Sequence, residues 1–247
     1  IRQDEEAIKA APPAERRNLL DLQEKWKESI ELMRGSYLRK KGNPLYVLPW
    51  YLILGESGSG KTSAIKNSNL SSPLTEVKRT AGISVTKNCD WWFFEEAIIL
   101  DTAGRYTIPV DEGADREEWE KFLGLLAKYR TREPINGVIV TVTADRLLEN
   151  DEAVIGDEGR SVRRRIDQLM RILGAKFPVY VLVTKMDLVH GMVEFANLLP
   201  PGAADQAMGH INRDCISDYT RVLDQATTGI AANLRNLTLL MVNEGNI

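Results

Sequence analysis

The stretch Gly55 to Thr62, GESGSGKT, restricts the fold more than any other part of the chain. It satisfies the spacing GxxxxGK[ST] directly after the apolar run Trp50, Tyr51, Leu52, Ile53, Leu54 and before a helix-compatible segment, the context that gives this spacing chemical meaning. Glycines at 55, 58 and 60 let the backbone curl until its N–H groups converge, and the start of the next helix adds partial positive charge. A polyphosphate fits such a nest. Gly55, Glu56, Ser57, Gly58, Ser59, Gly60, Lys61, Thr62 and Ser63 are therefore the expected phosphate-binding residues, with Lys61 on the terminal phosphates and the Thr62 hydroxyl on an accompanying Mg2+ ion.

Two further strings follow in an order that reinforces the first. Asp101, Thr102, Ala103 and Gly104 close the apolar run Ala97 to Leu100, where a carboxylate can hold magnesium and a glycine N–H can reach a third phosphate. Lys61, Asp101 and Gly104 form the expected catalytic set. Thr184, Lys185, Met186 and Asp187 end another apolar run, Val179 to Val183, and match [NT]KxD: the aspartate accepts two hydrogen bonds from guanine and the lysine stem covers the base. This favours GTP, with ATP as the alternative. Between the first two strings, the polar stretch Ser68 to Lys87 is expected to be a mobile segment that offers a threonine to the metal. Thr86 is the first choice and Thr80 the second, so the expected metal ligands are Thr62, Thr86 and Asp101. A second mobile loop is expected over Thr107 to Arg116, which is acidic and contains Pro109 and Gly113.

The rest of the chain reads as helices and strands around these points. Pro12 and Pro13 open a helix with apolar residues at Leu19, Leu22, Trp26, Ile30, Met33 and Tyr37, one stripe that docks on a neighbouring surface. The first strand is expected over Leu45 to Leu54. Cys89 to Phe94 and Ala97 to Leu100, split by Glu95 and Glu96, read as a hairpin, with Trp91 and Trp92 on opposite faces. Helices are expected around Trp119 to Tyr129 and Asp151 to Gly174, and a strand over Val138 to Val142; the arginines from Arg160 to Arg165 make a solvated face. After Pro200 and Pro201 one long amphipathic helix is expected, carrying Ile211, Cys215, Tyr219, Val222, Leu234, Leu237 and Met241.

The expected fold is a three-layer α/β domain of the phosphate-loop NTPase, Ras-like GTPase type, with a mostly parallel sheet and one antiparallel hairpin strand. Its expected division is a helical extension over 1–43, the nucleotide domain over 44–199 and a second helical extension over 200–247. Net charge of −3 gives no field for nucleic acid, and two cysteines without a ligand pattern point to a reducing compartment. No apolar run approaches the ~20 residues of a membrane helix. The sequence opens on Ile1, which reads as a piece of a longer protein whose excised part is itself soluble.

Together LPWYLILGESGSGKT, TKNCDWWF, LDTAGRY, EPINGVIV and PVYVLVTKMDL, in this order, resemble the cytoplasmic nucleotide-binding domain of the IcmF (TssM) proteins of type VI secretion systems. The resemblance implies a cytoplasmic domain of a membrane-anchored protein in the bacterial inner membrane, with other membrane-complex and baseplate proteins of the secretion system as partners. It implies a nucleotide-dependent switch or scaffold; the alternative is a docking domain with a vestigial nucleotide site. Arg105 stands where Ras-like GTPases carry the water-orienting glutamine, so hydrolysis is expected to be slow or assisted.

Overall fold

Leu22, Trp26, Ile30 and Met33 form the buried face of the first helix, α1 (Pro13–Gly35), in a computed structural model that describes residues 13–71, 89–109, 112–148, 151–199 and 208–243. The chain divides into two compact units, Ile1–Lys185 and Met186–Ile247. Helix α1 packs within the first unit as its stripe predicts, except at Tyr37, which follows the helix in a 3-10 turn and is exposed. Trp26 is fully buried among the rings of Trp50, Trp91, Phe122 and Tyr129, with the Trp26 and Trp91 centroids 4.9 Å apart in a T-shaped pair.

The sheet beneath has the order β2-β3-β1-β4-β5, built from β1 (Trp50–Leu54), β2 (Cys89–Phe93), β3 (Ile98–Thr102), β4 (Gly137–Thr143) and β5 (Val179–Thr184). Three of its pairings are parallel; β2 and β3 form the antiparallel hairpin that the sequence predicts, closed by Phe94 N–H donating to Ala97 O. Alternation sorts the residues. Trp50, Leu52, Leu54, Trp91, Leu100, Val138 and Val140 meet the helices on one face, whereas Ile53, Trp92, Ile99 and Ile139 join Ile65 on the other. The two tryptophans thus separate as expected. The mixed α/β architecture with a mostly parallel sheet matches expectation.

Leu45 to Val47 correct the reading of the first strand. Asn43 caps a one-turn helix, α2 (Pro44–Val47), its side chain accepting from Leu45 N–H, with proline at the first turn, and the strand begins only at Trp50. A cap followed by proline outweighs an apolar run that suits helix and strand alike. Beyond the phosphate-loop sequence comes α3 (Lys61–Lys66). The segment Thr107 to Arg116 also differs from its reading as a loop: Gly104–Tyr106 make a 3-10 turn, and helix α4 (Glu112–Tyr129) already includes Glu112 to Arg116. After β4 come α5 (Ala144–Leu148) and α6 (Glu152–Leu173); Asp151 caps α6 by accepting from the Ala153 and Val154 N–H groups.

Arg160, Arg163 and Arg164 of α6 are a solvated face, as expected, pairing with Asp157, Asp167 and the Ser161 hydroxyl; Arg165, expected with them, is instead half-buried and donates to Gln168. At the far end of the sheet Arg130 is fully buried, its guanidinium 5.0 Å from the Tyr46 ring centroid and 4.6 Å from that of Trp50. Burial lowers its pKa to about 10.

The second unit holds α7 (Met192–Asn197) and α8 (Tyr219–Asn243). The long helix expected after Pro201 therefore carries Tyr219, Val222, Leu234, Leu237 and Met241 but not Ile211 or Cys215. Those two lie in a turn held by Asn212, whose side chain accepts from Ile216 N–H and donates to Ile216 O. Local side-chain bonding of this kind competes with helix. Among the described residues no helix is long and apolar enough to cross a membrane.

Candidate functional site

Parallel β1 and β3 deliver two chain segments to the same end of the sheet. Leaving β1, the backbone turns at Gly55, whose φ of +155° is a conformation that side chains rarely tolerate; a Cβ there would overlap the Thr141 hydroxyl and lie 2.9 Å from Ser59 Oγ. Gly55 N–H donates to Thr107 Oγ1 at 3.0 Å, and Ser59 and Thr141 share a hydroxyl hydrogen bond of 2.8 Å. The loop is thereby tied to β4 and to the segment after β3. Thr184, at the end of β5, donates to Ser59 O at 2.7 Å and sits beside Gly60.

Lys61 is buried and donates to Gly55 O and Glu56 O, both at 2.8 Å. Its ammonium is thus held inside the curl of the loop. Burial lowers its pKa, while the charges of Asp101 and Glu56 oppose that shift. Thr62 Oγ1 donates to Asp101 Oδ2 at 2.6 Å across 39 residues of sequence. Asp101 is fully buried; its Oδ1 makes no hydrogen bond of good geometry, although the Trp92 indole N–H lies near enough to help hold the carboxylate's pKa down. Burial raises its pKa; the Thr62 hydrogen bond and the Lys61 charge pull the other way.

A buried carboxylate oxygen without a partner, next to a threonine hydroxyl, fits a hard divalent cation. Magnesium takes few protein ligands and keeps its remaining positions for phosphate oxygens and water. Among the described residues no cluster of three or more His, Cys, Asp or Glu forms an all-protein cage, and the oxygens brought together at this point are those of Thr62 and Asp101. Thr86 and Thr80, expected as further contributors, lie outside the described residues.

Gly104 lies against the loop itself. A Cβ on Gly104 would be 2.5 Å from Ser57 Cα and 2.8 Å from the Glu56 carbonyl carbon. The next two side chains turn the other way: Arg105 and Tyr106 both bond Glu118 of α4, and Arg105 also pairs with Asp115. Lys185 and Asp187 do not share a unit. Lys185 ends the first with φ of 55°, and Asp187 belongs to a 3-10 turn, Met186–Leu188, in the second; both are exposed.

The sequence reading missed Thr107, Thr141 and Glu118. Thr141 had a visible signal, a hydroxyl inside the apolar run of β4; Glu118 had none, because its role depends on where α4 packs. Glu56, from the loop, faces Arg146 of α5 at 3.8 Å, and Arg146 in turn faces Glu158 at 3.5 Å.

Comparison with known proteins bears on most of the chain. The chain is 40% identical over 195 residues to the type VI secretion system component TssM1 of Pseudomonas aeruginosa, covering 77% of this chain and 18% of that protein. Era bound to MgGDPNP and a 16S ribosomal RNA fragment is 15% identical, covers 61% of this chain and 44% of its own, and has a TM-score of 0.32. A single-residue variant of Aquifex aeolicus Era bound to GDP.AlF4− is 14% identical, covers 61% and 55%, and has a TM-score of 0.27. Similarities as slight as these two carry no argument about the site. The IcmF-related N-terminal domain, by contrast, matches residues 112–246. That match takes in more than half of the sequence, and the chain belongs to the IcmF/TssM family.

Proposed function

We propose that this chain is a nucleotide-binding domain of the phosphate-loop type, taking GTP or ATP with Mg2+, that works as a nucleotide-dependent switch or scaffold. The Thr62–Asp101 contact carries the reading. It unites the last residue of GESGSGKT with the first of DTAG, leaving one buried carboxylate oxygen for a cation beside the Lys61 ammonium. The loop N–H groups would hold phosphates, Lys61 would neutralise them, Thr62 and Asp101 would hold the metal, and Gly104 would meet a third phosphate. Thr184 and Lys185, at the end of β5, are the residues of the first unit assigned to the base.

Family membership supports a setting in the membrane complex of a type VI secretion system. In that setting the domain sits on the cytoplasmic side of the inner membrane, in a membrane-anchored protein that meets other membrane-complex and baseplate components. The match spans under a fifth of TssM1, so this role concerns a parent protein much longer than the domain.

Titration of the purified chain with GTP, GDP, ATP and ADP plus magnesium, beside Lys61→Ala, tests the binding reading. At least tenfold weaker binding in the variant is expected, since a buried charge facing phosphate is lost; equal affinity would refute the site. A second reading, a docking domain with a vestigial site, is favoured by one observation: Arg105, in the position of the water-orienting residue, is bound to Glu118 and Asp115. Undiminished secretion by cells carrying Lys61→Ala would decide for it.

A further inference from the structure

Strand β2 runs beside the carboxylate of the candidate site. Across the antiparallel ladder Asp90 stands opposite Asp101 and Trp92 opposite Ile99, so Asp90, Trp92 and Asp101 share one face of the sheet. A like charge directly opposite is unfavourable. Here Lys25 of α1 takes up Asp90, with its Nζ 3.3 Å from Asp90 Oδ1. Trp92 is the diagonal neighbour of Asp101, a separation that an aromatic side chain spans. Its half-buried ring packs against the cluster of Ile53, Ile65, Phe94 and Ile99.

Two buried polar atoms on this face are complementary in kind. Trp92 Nε1 carries a hydrogen to donate, Asp101 Oδ1 has lone pairs to accept, and neither makes a hydrogen bond of good geometry. The indole N–H nonetheless lies close enough to Asp101 to favour its charged form. Buried groups of this sort are costly to leave unpaired, and these two can satisfy each other. Thr62 already donates to the other oxygen, Oδ2. A carboxylate offers about four lone-pair sites, so two donors still leave room for a cation or its waters.

We propose that Trp92 is a positioning residue for the metal: its indole N–H donates to the Asp101 carboxylate and, with the Thr62 hydroxyl, sets the angle at which that carboxylate meets magnesium. This rests on the nucleotide-binding reading above. An indole suits the role because it is a neutral donor. A lysine or arginine in its place would cancel the negative charge that attracts the cation, whereas an N–H dipole steadies the carboxylate and leaves that charge intact. Trp91 has no such part, since it packs on the opposite face, although its Nε1 is also buried without a partner. The edge strand β2 thereby belongs to the metal site, and a shift of β2 is felt as a change in magnesium affinity.

The test pairs two measurements on the full chain. Without nucleotide, the indole N–H resonance lost on substituting Trp92 identifies that residue in chain labelled at tryptophan nitrogen. In Asp101→Ala this resonance should shift and its hydrogen should exchange at least about tenfold faster, the effect of losing one hydrogen bond to a charged group. With GDP or ADP, the factor by which magnesium tightens binding should fall at least about fivefold in Trp92→Phe, the lower end of ordinary coupling between sites. Affinity without magnesium should stay within about twofold of wild type, below that range. Trp91→Phe removes the same N–H from the other face and should keep the magnesium factor within about twofold. An unchanged magnesium factor in folded Trp92→Phe, or an unchanged Trp92 resonance in Asp101→Ala, overturns the role while leaving nucleotide binding intact. An equal fall in Trp91→Phe also overturns it, by tracing the effect to ring packing. No binding of any nucleotide by the wild type overturns both readings.

Discussion

Thr62 and Asp101 meet through a 2.6 Å hydrogen bond that joins the start of helix α3 to strand β3. Because β1 and β3 are parallel neighbours, Ile53 and Asp101 are in register, and the loop leaving β1 passes over the carboxylate. The sheet alignment thus brings the two residues together without a dedicated connecting element.

Asp101→Asn should separate metal binding from stability. Burial holds the folded-state pKa of Asp101 above its ordinary value. Its contribution to stability is therefore fully present below the ordinary carboxylate range and is lost as pH rises through the raised value. Asparagine has no such loss and still accepts from Thr62. The melting temperature without nucleotide should rise at pH 7, by roughly 2–4 °C for each kcal/mol relieved. Magnesium should no longer enhance nucleotide affinity. Thermal melts across acid to neutral pH, paired with titrations with and without magnesium, check both parts; a lower melting temperature at pH 7 would contradict the first.

Gly55→Ala should destabilise the folded chain by roughly 1–3 kcal/mol from backbone strain alone, with steric overlap adding to it. Its φ of +155° strains any side chain, and the new Cβ would overlap the Thr141 hydroxyl. Combining it with Thr141→Ala should recover only part of the loss, since the backbone conformation and the nearby Thr141 carbonyl both persist. Urea unfolding of the single and double variants measures the split.

Arg130 offers a comparison of packing with charge. Buried charges without full pairing are costly, and Arg130 Nε and Nη2 have no hydrogen-bond partner. Arg130→Met, which fills similar volume, should lie within about 1.5 kcal/mol of wild type or be more stable. Arg130→Ala should lose roughly 2–5 kcal/mol through the cavity between Tyr46 and Trp50. Equal losses for both would show that the guanidinium over the rings matters more than its volume. Denaturant midpoints decide.

Trp26→Ala should cost roughly 3–5 kcal/mol, the range for large aromatic residues in a core. The side chain is surrounded by neighbouring rings and sealed from water, so its removal should loosen α1 from the sheet. Proteolysis should then cut within Pro13–Gly35 at concentrations that leave wild type whole.

Much of the candidate site's placement in the fold was legible because it follows from short-range constraints. GESGSGKT needs a strand before it and DTAG needs one too, and apolar runs of the right length precede both. The antiparallel hairpin was equally readable from the Glu95–Glu96 break. The Leu45–Val47 turn was misread because its apolar residues suit either state, while the deciding signal lay in Asn43 and Pro44. Glu118 was illegible for a different reason. Its neighbours Asp115 and Glu117 are also acidic, and only the packing of Trp119 and Phe122 turns Glu118 toward Arg105. The order of parallel strands, which decides whether Asp101 or another strand end meets Thr62, is likewise a tertiary fact.

The tryptophans supply an optical consequence. Trp26 on α1 lies 4.9 Å from Trp91 on β2 and 6.3 Å from Trp50, the first residue of the strand that feeds the loop. Rings this close couple electronically, so their near-ultraviolet circular dichroism and emission report the separation of helix from sheet. The chain carries its own unlabelled reporter of whether α1 stays seated when a ligand or partner acts on the domain.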